Sequence, residues 1–505
     1  MPRRQCGVVG RAARLWRWAT ASTFVVGLLS LAWFALRTGT KPSRAAYPCQ
    51  RVAATNGTAW LATYVLPLLS FSGFVGENRS WRRKLLTAMM VVLVAAGAAW
   101  LASVPGSRGS LRAAAVIEEA NLVLEGRRAT AHPASDLFVV RGTHGNDAGV
   151  SELIALMAES GTLFYLTKEA GDSCGPAGLI AADDIVLIKV NAQWDQRGGT
   201  NTDLLRSLIQ AIVDHPDGFV GEIIIADNGQ AQYGARGSGG SLDWSRNNAD
   251  ERSQSVQDVA ASFAEEHAVS TFLWDRITGT RVEEYSAGDA EDGYIIAESK
   301  SPTTGAIVAY PKFRSAYGTH VSFKQGIWDP RRQSYDSDRL KLINLPVLKP
   351  HSIYGVTACI KHYMGVTSDA LTRSAGARAH DSVGTGGMGT EIAETRFPTL
   401  NLLDAIWVSL TPGCGPRVYY DEATRVDVIA ASTDPAALDY WAAKHILVQG
   451  AREKGASRAD SLDPDSGRSF SIWLRLSMNE LVAAGHRVTI DEDRMNVYVR
   501  EMPGR

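Results

Sequence analysis

The chain has 505 residues, of which 45% are hydrophobic, and its charge is balanced, with 52 Lys and Arg against 53 Asp and Glu. This length is enough for two to four domains, or for one large domain with a membrane region. A nucleic-acid-binding protein of this size would usually carry a basic excess or a basic stripe. Because the sequence has neither, it argues against nucleic acid as a partner.

Three apolar runs near the start of the chain predict membrane helices at about 19–36, 58–75 and 85–104. None of them contains a charged residue, and each is about as long as a helix that spans a bilayer. A signal peptide would explain the first run but not the other two, and a buried helix is the remaining alternative for each. We therefore expect the lipid bilayer as a partner and a multi-pass location in the cell membrane.

The basic residues around these runs predict the orientation of the chain. Arginines are frequent within Arg3–Arg17, before the first run, and basic residues crowd Arg79–Lys84, between the second and the third. The positive-inside rule places both segments in the cytoplasm, so three crossings leave the rest of the chain outside. The predicted organisation is a membrane region at 1–105, a linker at 106–135 and an extracytoplasmic domain at 136–505.

The region from Asp136 onward alternates between apolar runs of strand length and helical stretches. Asp184–Val190 and Glu222–Ala226 are rich in β-branched residues, and an amphipathic stretch lies between them. This alternation predicts an α/β domain with a mixed or mostly parallel sheet covered by helices. Near the end of the chain, Arg487–Ile490 and Asn496–Val499 predict a hairpin.

The segment after the predicted strand Leu342–Leu345 carries most of the functional information. Lys349, His351, Lys361 and His362 follow within a short span. Imidazole and lysine side chains are those most easily tuned for proton transfer, metal binding or anion binding. We therefore predict a ligand site here, with His351 and Lys361 as catalytic residues and His351 and His362 as metal ligands.

Polar residues also follow the two earlier strands of the predicted sheet. Lys189 and Asn191 close the first strand, and Asp227 follows the second. Ligands of α/β proteins collect at the carboxyl ends of strands, so we predict that these residues join Lys349 in binding a ligand or cofactor. The alternatives are a lysine that reaches outward from a sheet edge and, for Asp227, a side chain that caps a turn.

Two later features complete the predicted site. Gly386 and Gly387 lie in the glycine-rich stretch Gly384–Gly389, whose exposed amides could hold an anion in a loop that closes over the site. The alternative is a flexible loop that binds nothing, for which the same glycine-rich composition is expected. Asp434 precedes the helical stretch Pro435–Ile446, where it suits either the ligand or the cap of that helix.

Several stretches of the chain together resemble the domain of unknown function 362 family. The resemblance covers roughly residues 136–450 and implies an α/β fold without a settled activity. Some members of that family carry ferredoxin-type cysteine clusters, but this chain has five cysteines and no CxxC pair, so its own cysteines cannot assemble an iron–sulfur cluster. The stretches are Ile185–Asn191, Gly221–Asn228, Leu340–Val366, Leu400–Trp407 and Ala431–Asp439.

The spacing of His351, Gly355 and Lys361 is similar to a segment of the nickel-pincer lactate racemase family. That similarity implies that Lys361 tethers a cofactor and that His351 transfers a proton. The cofactor stays unknown, with a metal ion and a tethered cofactor as the options. Three functions remain open: an enzyme of acid/base or redox chemistry, a non-catalytic binding protein for a small anionic ligand, and a subunit of a membrane redox complex.

Overall fold

The computed structural model divides the chain into two compact units, Met1–Leu111 and Arg112–Arg505. It describes residues 119–120, 122–229 and 247–502 of the second unit. In the first unit it describes residues 29–34 and a few positions between 54 and 60.

The three predicted membrane helices, at 19–36, 58–75 and 85–104, lie largely outside these described residues. Among the residues that are described, no helix is both long enough and apolar enough to cross a membrane. The predicted topology therefore stays a prediction from the sequence.

The second unit alternates strands and helices along its length. Its strands are β1 Ser135–Arg141, β2 Tyr165–Leu166, β3 Cys174–Gly175, β4 Ile180–Ala181, β5 Ile185–Lys189, β6 Glu222–Asp227, β7 Ala268–Leu273, β8 Gly293–Ile296, β9 Ala309–Arg314, β10 His320–Ser322, β11 Gly326–Asp329, β12 Ser334–Asp336, β13 Leu340–Asn344, β14 Lys349–His351, β15 Gly355–Thr357, β16 Leu400–Val408, β17 Thr424–Ser432 and β18 Met495–Glu501. Its α-helices are α1 Gly149–Glu159, α2 Thr202–Val213, α3 Val256–Phe263, α4 Cys359–His362, α5 Asp369–Ser374, α6 Ala379–Ser382, α7 Gly387–Glu394, α8 Pro435–Ala442, α9 Gln449–Glu453 and α10 Ser469–Ala483. A π-helical turn at Ala443–Val448 joins α8 to α9, and short 3₁₀ turns include Tyr363–Gly365 and Val383–Thr385.

The described part of this unit is built on an eight-stranded sheet with the order β18-β1-β17-β16-β13-β5-β6-β7. Strands β16, β13, β5, β6 and β7 run parallel, whereas β17 is antiparallel to both β16 and β1. The sheet is therefore mixed and mostly parallel, which confirms the predicted fold class. Lys189 at the end of β5 pairs with Asn344 of β13 and Ala226 of β6, so the carboxyl ends of these three strands meet at one edge.

Both faces of the central strands are buried, as is usual for parallel sheets. Successive side chains of a strand point to opposite faces. Leu187 and Ile224 accordingly belong to one hydrophobic cluster, and Val186 and Ile223 belong to the other. Helices α1, α2 and α3 supply apolar residues to the second cluster, while α8 and α10 supply them to the first. Continuous β-branched runs in the sequence thus become fully covered strands.

The chain between β7 and β13 forms a second sheet that the sequence did not predict. It has five strands in the order β12-β11-β10-β9-β8, all antiparallel. Aromatic contacts join its layer to the main core: the ring centroids of Phe323 lie 5.8 Å from those of Trp274 and 6.1 Å from those of Tyr363. Tyr363 directly follows α4, so these contacts connect the sheet to the end of that helix.

The predicted hairpin at the end of the chain was wrong. Residues 487–490 are not a strand, and Met495–Glu501 forms β18, which pairs in parallel with β1 from Ser135 to Arg141. The alternating apolar pattern of Asn496–Val499 identified a strand correctly. Its partner lies far away in the sequence, and a parallel pair cannot be made by a tight turn.

Candidate functional site

A buried ion pair lies where β5 and β6 end. Lys189 Nζ is 2.8 Å from Asp227 Oδ1, and the two side chains are 0% and 3% exposed. The other carboxylate oxygen accepts a hydrogen bond of 2.6 Å from the backbone N–H of Ala192. Gly365 packs directly on the pair, since a Cβ at this position would lie 2.1 Å from Asp227 Oδ1. Lys189 and Asp227 thus satisfy each other and form a floor under the neighbouring residues.

Asn191 follows this pair and is almost fully buried. Its backbone N–H donates to Thr200 Oγ1 over 2.7 Å, which fixes the loop between β5 and α2. Its side-chain oxygen has no hydrogen-bond partner within the described ranges. An unsatisfied buried oxygen is costly, so this atom is available to a donor that the structure does not contain.

Helix α4 carries Lys361 and His362 into the same region. It has four residues, too few to be stable alone, and its N-terminus is held by Asp439 of α8. The backbone N–H groups of Cys359 and Ile360 donate to the two oxygens of Asp439 over 2.6 and 3.0 Å. Burial raises the pKa of Asp439 to about 7, while these donors act to lower it. Asp439 therefore positions Lys361 without touching it.

Lys361 is the buried lysine with the least support. It is 6% exposed, and its Nζ lies 5.5 Å from the centroid of the Tyr354 ring. Across the described part of the chain, the amine makes no hydrogen bond and no ion pair. Burial alone lowers the pKa of Lys361 to about 7. At neutral pH this side chain is therefore divided between its charged and neutral forms.

Lys349 is buried as deeply as Lys189, but no carboxylate of the described residues is in contact with it. It lies on β14 and donates a short hydrogen bond to the backbone carbonyl of Gly198. Burial lowers its pKa well below the ordinary value, and the positive charge of Lys361 lowers it further. Asp227 and Asp404 act in the opposite direction. Lys349 and Lys361 therefore compete for protons, and an incoming negative charge would relieve both.

His351 lies at the end of β14, beside Lys361. Its Nδ1 accepts hydrogen bonds from the backbone N–H groups of Ile353 and Tyr354 over 3.1 and 3.2 Å. Nδ1 is thus an acceptor, and the neutral ring carries its proton on Nε2. Burial lowers the pKa of His351 well below its ordinary value, followed by the charges of Lys361 and His380. The ring centroid lies 5.2 Å from that of Tyr354 and 6.3 Å from that of His380.

Each ring nitrogen of His362 faces an oxygen atom. Its Nδ1 lies 2.7 Å from Asn344 Oδ1, and its Nε2 lies 2.9 Å from the backbone carbonyl of Val190. Burial and the charge of Lys189 lower the pKa of His362 well below its ordinary value. Because both ring nitrogens already face oxygen atoms, neither offers a lone pair to a metal unless the side chain moves. In this structure His362 ties α4 to the ends of β5 and β13.

The donor set around the site limits what a metal could bind. Within the ranges described above, no group of three or more His, Cys, Asp or Glu side chains could hold a metal ion. Cys174 and Cys359 are free thiols. Of the two histidines predicted as metal ligands, His351 alone keeps a nitrogen, Nε2, that no described group contacts.

Three of the predicted site residues have structural partners elsewhere. Asp434 caps α8 by accepting hydrogen bonds from the N–H groups of Ala436 and Ala437, and its second oxygen accepts from Ser135 and Thr489. Burial raises its pKa to about 6. No contact joins it to Lys189, Lys349 or Lys361 in the described chain.

Gly386 and Gly387 lie at the start of α7 rather than in a loop that closes over the site. A Cβ at Gly386 would lie 2.8 Å from the Cβ of Leu476 in α10, and its φ of +91° suits glycine. A Cβ at Gly387 would lie 2.1 Å from Ser382 Oγ. These glycines allow close packing between helices, which explains the glycine-rich stretch without a bound anion.

The structure brings together seven of the predicted residues, which we call the lysine cluster: Lys189, Asn191, Asp227, Lys349, His351, Lys361 and His362. Sequence reasoning missed Gly198, whose carbonyl holds Lys349, and Tyr354, whose ring lies next to Lys361. The adjacent glycines Gly198 and Gly199 could have indicated a tightly packed loop. At Gly199 there is no room for a side chain, because a Cβ would lie 2.4 Å from the carbonyl oxygen of Trp194. For Tyr354 the sequence offers no comparable signal.

A surface cavity of about 550 Å³ lies among residues that do not belong to the lysine cluster. Its walls mix acidic, basic and aromatic side chains, including Arg127, Tyr440, Asp465, Arg475, Glu492 and Asp493. This cavity and the buried lysines of the lysine cluster are therefore in different places. We assign the candidate site from the chemistry, because unpaired buried amines and imidazoles are the groups that a ligand would satisfy.

Comparison with known proteins gives one match. The model of the family described as domain of unknown function (DUF362) matches residues 334–444. No curated protein and no solved structure matches the chain, and nothing in these comparisons supports the similarity to lactate racemases. The chain thus contains a DUF362 domain, and this domain includes Lys349, His351, Lys361 and His362.

Proposed function

We propose that the lysine cluster is the site of an enzyme that binds a small anionic molecule and transfers a proton through Lys361. The observation that carries the proposal is the state of Lys361: nine-tenths buried, without a carboxylate or hydrogen-bond partner in the described chain, and with a pKa of about 7. A buried amine in this state costs free energy, and such a cost is typical of functional sites.

The balance of charge around the site favours an anionic ligand. Lys189 is neutralised by Asp227 at 2.8 Å. Lys349 has a backbone carbonyl as its partner, and Lys361 has the face of an aromatic ring. Neither of these replaces a counter-ion, because burying a cation without an anion is strongly unfavourable. A carboxylate or phosphate would supply the missing charge, and the unsatisfied oxygen of Asn191 would accept a hydroxyl or amide donor from the same molecule.

The protonation states of Lys361 and His351 favour acid/base chemistry over simple binding. A group whose pKa lies near the working pH can both accept and donate a proton, which is the condition for efficient general acid–base catalysis. Lys361 meets this condition with a pKa of about 7. His351 is neutral and presents Nε2–H, so it can donate a hydrogen bond to an oxygen atom of the substrate without carrying charge itself.

A non-catalytic anion-binding protein is the second candidate. The fixed position of Lys349 favours it, because a lysine held by the carbonyl of Gly198 is already arranged to receive a charge and pays little entropy on binding. In that case Lys361 attracts the ligand but moves no proton. The substitution Lys361→Arg distinguishes the two candidate functions, because arginine keeps the positive charge but does not release a proton in proteins.

The test uses Lys361→Ala and Lys361→Arg with a panel of small carboxylates and phosphate esters. Binding is measured by calorimetry and turnover by proton release or uptake. The proposal expects that alanine abolishes both, whereas arginine retains partial binding and loses turnover. Lys341→Ala is the matched control, because Lys341 lies on β13 with a side chain 20% exposed and a long contact to Asp184 at 3.9 Å. Full turnover by the arginine variant would exclude proton transfer through Lys361, and unchanged binding by the alanine variant would exclude the site.

The location of the protein is a separate proposal, and it rests on the sequence. We propose that the three apolar runs at 19–36, 58–75 and 85–104 anchor the chain in the cell membrane with the main domain outside. A reporter fused after Ser107 should be active only when it is extracytoplasmic. A cytoplasmic signal, or full extraction of the chain from membranes by alkaline carbonate, would refute this arrangement without affecting the proposal for the site.

A further inference from the structure

We propose that Lys361 forms a covalent Schiff base with the carbonyl carbon of a small 2-oxo acid. This inference rests on the proposed function, because the carboxylate of the oxo acid would be the anion that the lysine cluster binds. It goes further by assigning the substrate class and a covalent step to one side chain.

The three lysines of the lysine cluster differ in the hydrogen-bond partners of their amines. Lys189 donates to Asp227 over 2.8 Å, and Lys349 donates to the carbonyl of Gly198. An amine that donates to a fixed acceptor is oriented by it and is less free to attack a carbonyl carbon. Lys361 has no such acceptor in the described chain and lies against the Tyr354 ring. It is therefore the lysine of this cluster whose lone pair is free to attack an electrophile.

The surroundings of Lys361 also favour the neutral, nucleophilic amine. Burial removes water from around the ammonium form and so disfavours it. Desolvation is one of the ways in which proteins activate lysine as a nucleophile towards carbonyl groups. With a pKa of about 7, half of the Lys361 side chains are neutral at pH 7. That fraction is on the order of a thousandfold larger than for an exposed lysine.

The step balances with one proton taken from solution. The lone pair of Lys361 Nζ attacks the carbonyl carbon, and the π electrons move to the oxygen, which takes a proton from the attacking nitrogen. The resulting hydroxyl group takes a second proton from solution and leaves as water. The nitrogen lone pair then completes the protonated C=N bond. Lys349 would hold the carboxylate during this step, and Nε2–H of His351 would donate a hydrogen bond to the oxygen that leaves.

The chemistry of the cluster points to a 2-oxo acid rather than to a neutral ketone. The carboxylate of such an acid is attached directly to its carbonyl carbon, so one molecule supplies both an anion for Lys349 and an electrophile for Lys361. The charge of Lys361 acts on Lys349, so a compact molecule that reaches both amines fits the cluster best.

The test traps the Schiff base by reduction. The purified full-length chain is incubated with pyruvate, glyoxylate or 2-oxoglutarate and sodium cyanoborohydride, and the adduct is located by peptide mass spectrometry. We expect one adduct on Lys361, formed at least tenfold faster than any adduct on an exposed lysine such as Lys300, and lost in Lys361→Arg but kept in Lys341→Arg. Lactate, which has the carboxylate but no carbonyl, should slow the trapping without forming an adduct.

The outcomes separate this inference from the proposed function. If calorimetry shows that pyruvate and lactate bind at the cluster but no adduct appears on Lys361, the Schiff base is refuted and the anion site stands. The same conclusion follows if phosphate esters bind and none of the three oxo acids does. If no small anion binds, both proposals fall. An adduct spread evenly over exposed lysines also refutes the inference, because it shows no activation of Lys361.

Discussion

Replacing Lys361 by methionine should stabilise the protein. Methionine has a flexible unbranched side chain of similar length, so it can fill the same space without carrying a charge. Burial lowers the pKa of Lys361 from 10.5 to about 7. One pKa unit corresponds to about 1.4 kcal/mol, so the free energy of unfolding should rise on the order of 4 kcal/mol at pH 7 when the amine is removed.

The dependence of this gain on pH has a definite sign. The folded pKa of Lys361 lies below the unfolded value of 10.5, so the unfolded chain binds more protons between about 7 and 10.5. The cost of the buried lysine is therefore complete below pH 7 and fades as the pH rises towards 10.5. The difference in stability between the methionine variant and the original protein should be largest in mildly acidic solution and should nearly vanish at pH 10.

The assay is urea denaturation of the full-length chain, followed by tryptophan fluorescence at several pH values. Lys189→Met is the matched control, because the same substitution there leaves Asp227 buried without its partner at 2.8 Å. That control should lose about 3–5 kcal/mol, the usual cost of breaking a buried ion pair. A loss of stability in Lys361→Met, or a gain that does not change with pH, would refute the view that Lys361 is an unpaired buried amine.

Three further predictions concern the supports of the site. Gly365→Ala should disrupt the Lys189–Asp227 pair, because the added Cβ would lie 2.1 Å from Asp227 Oδ1. Urea denaturation should show a loss of several kcal/mol in the free energy of unfolding, as for other changes that disturb a buried pair. The control Gly126→Ala, whose Cβ would make an ordinary contact of 3.4 Å, should change this free energy by no more than about 0.5 kcal/mol. Asp439→Ala should weaken anion binding at least tenfold, because the N–H groups of Cys359 and Ile360 lose their acceptor. Asp439→Asn keeps one acceptor oxygen, so its anion affinity should fall less. An equal fall in affinity for both variants would contradict the capping role of Asp439. Anion binding should be accompanied by proton uptake at pH 8, because Lys361 is mostly neutral at this pH in the free protein. Calorimetry in buffers with different ionisation enthalpies measures the number of protons taken up. No proton uptake would argue against a ligand beside Lys361.

The part of the site built on parallel strands was predictable from the sequence. Polar residues directly after β-branched runs mark the carboxyl ends of strands, and parallel neighbours in register bring those ends together. This reasoning placed Lys189 beside Asp227, as the pairing of Lys189 with Ala226 across β5 and β6 shows. It did not show that the two side chains neutralise each other. The choice between a ligand contact and an internal ion pair depends on a distance, which strand order alone does not give.

Other parts of the structure were outside the reach of sequence patterns. The five-stranded sheet consists of strands of three to six residues, too short for a clear period of alternation. Gly386 and Gly387 fit an anion-binding loop equally well until their contacts with Leu476 and Ser382 are known. Asp434 fits both a cap and a ligand, and the amides of Ala436 and Ala437 show which role the fold uses. In each case the deciding fact is a neighbour that is distant in the sequence.

The different partners of the three clustered lysines explain why our proposal is centred on Lys361. All three are buried, and burial disfavours the charge of each. Lys189 donates a hydrogen bond to a carboxylate, and Lys349 donates one to a backbone carbonyl, which offsets this unfavourable effect of burial. Lys361 instead faces an aromatic ring and lies on a short helix anchored by Asp439. Two backbone hydrogen bonds to Asp439 thus hold in place an amine without a partner in the described chain, and this is the arrangement on which our proposed site rests.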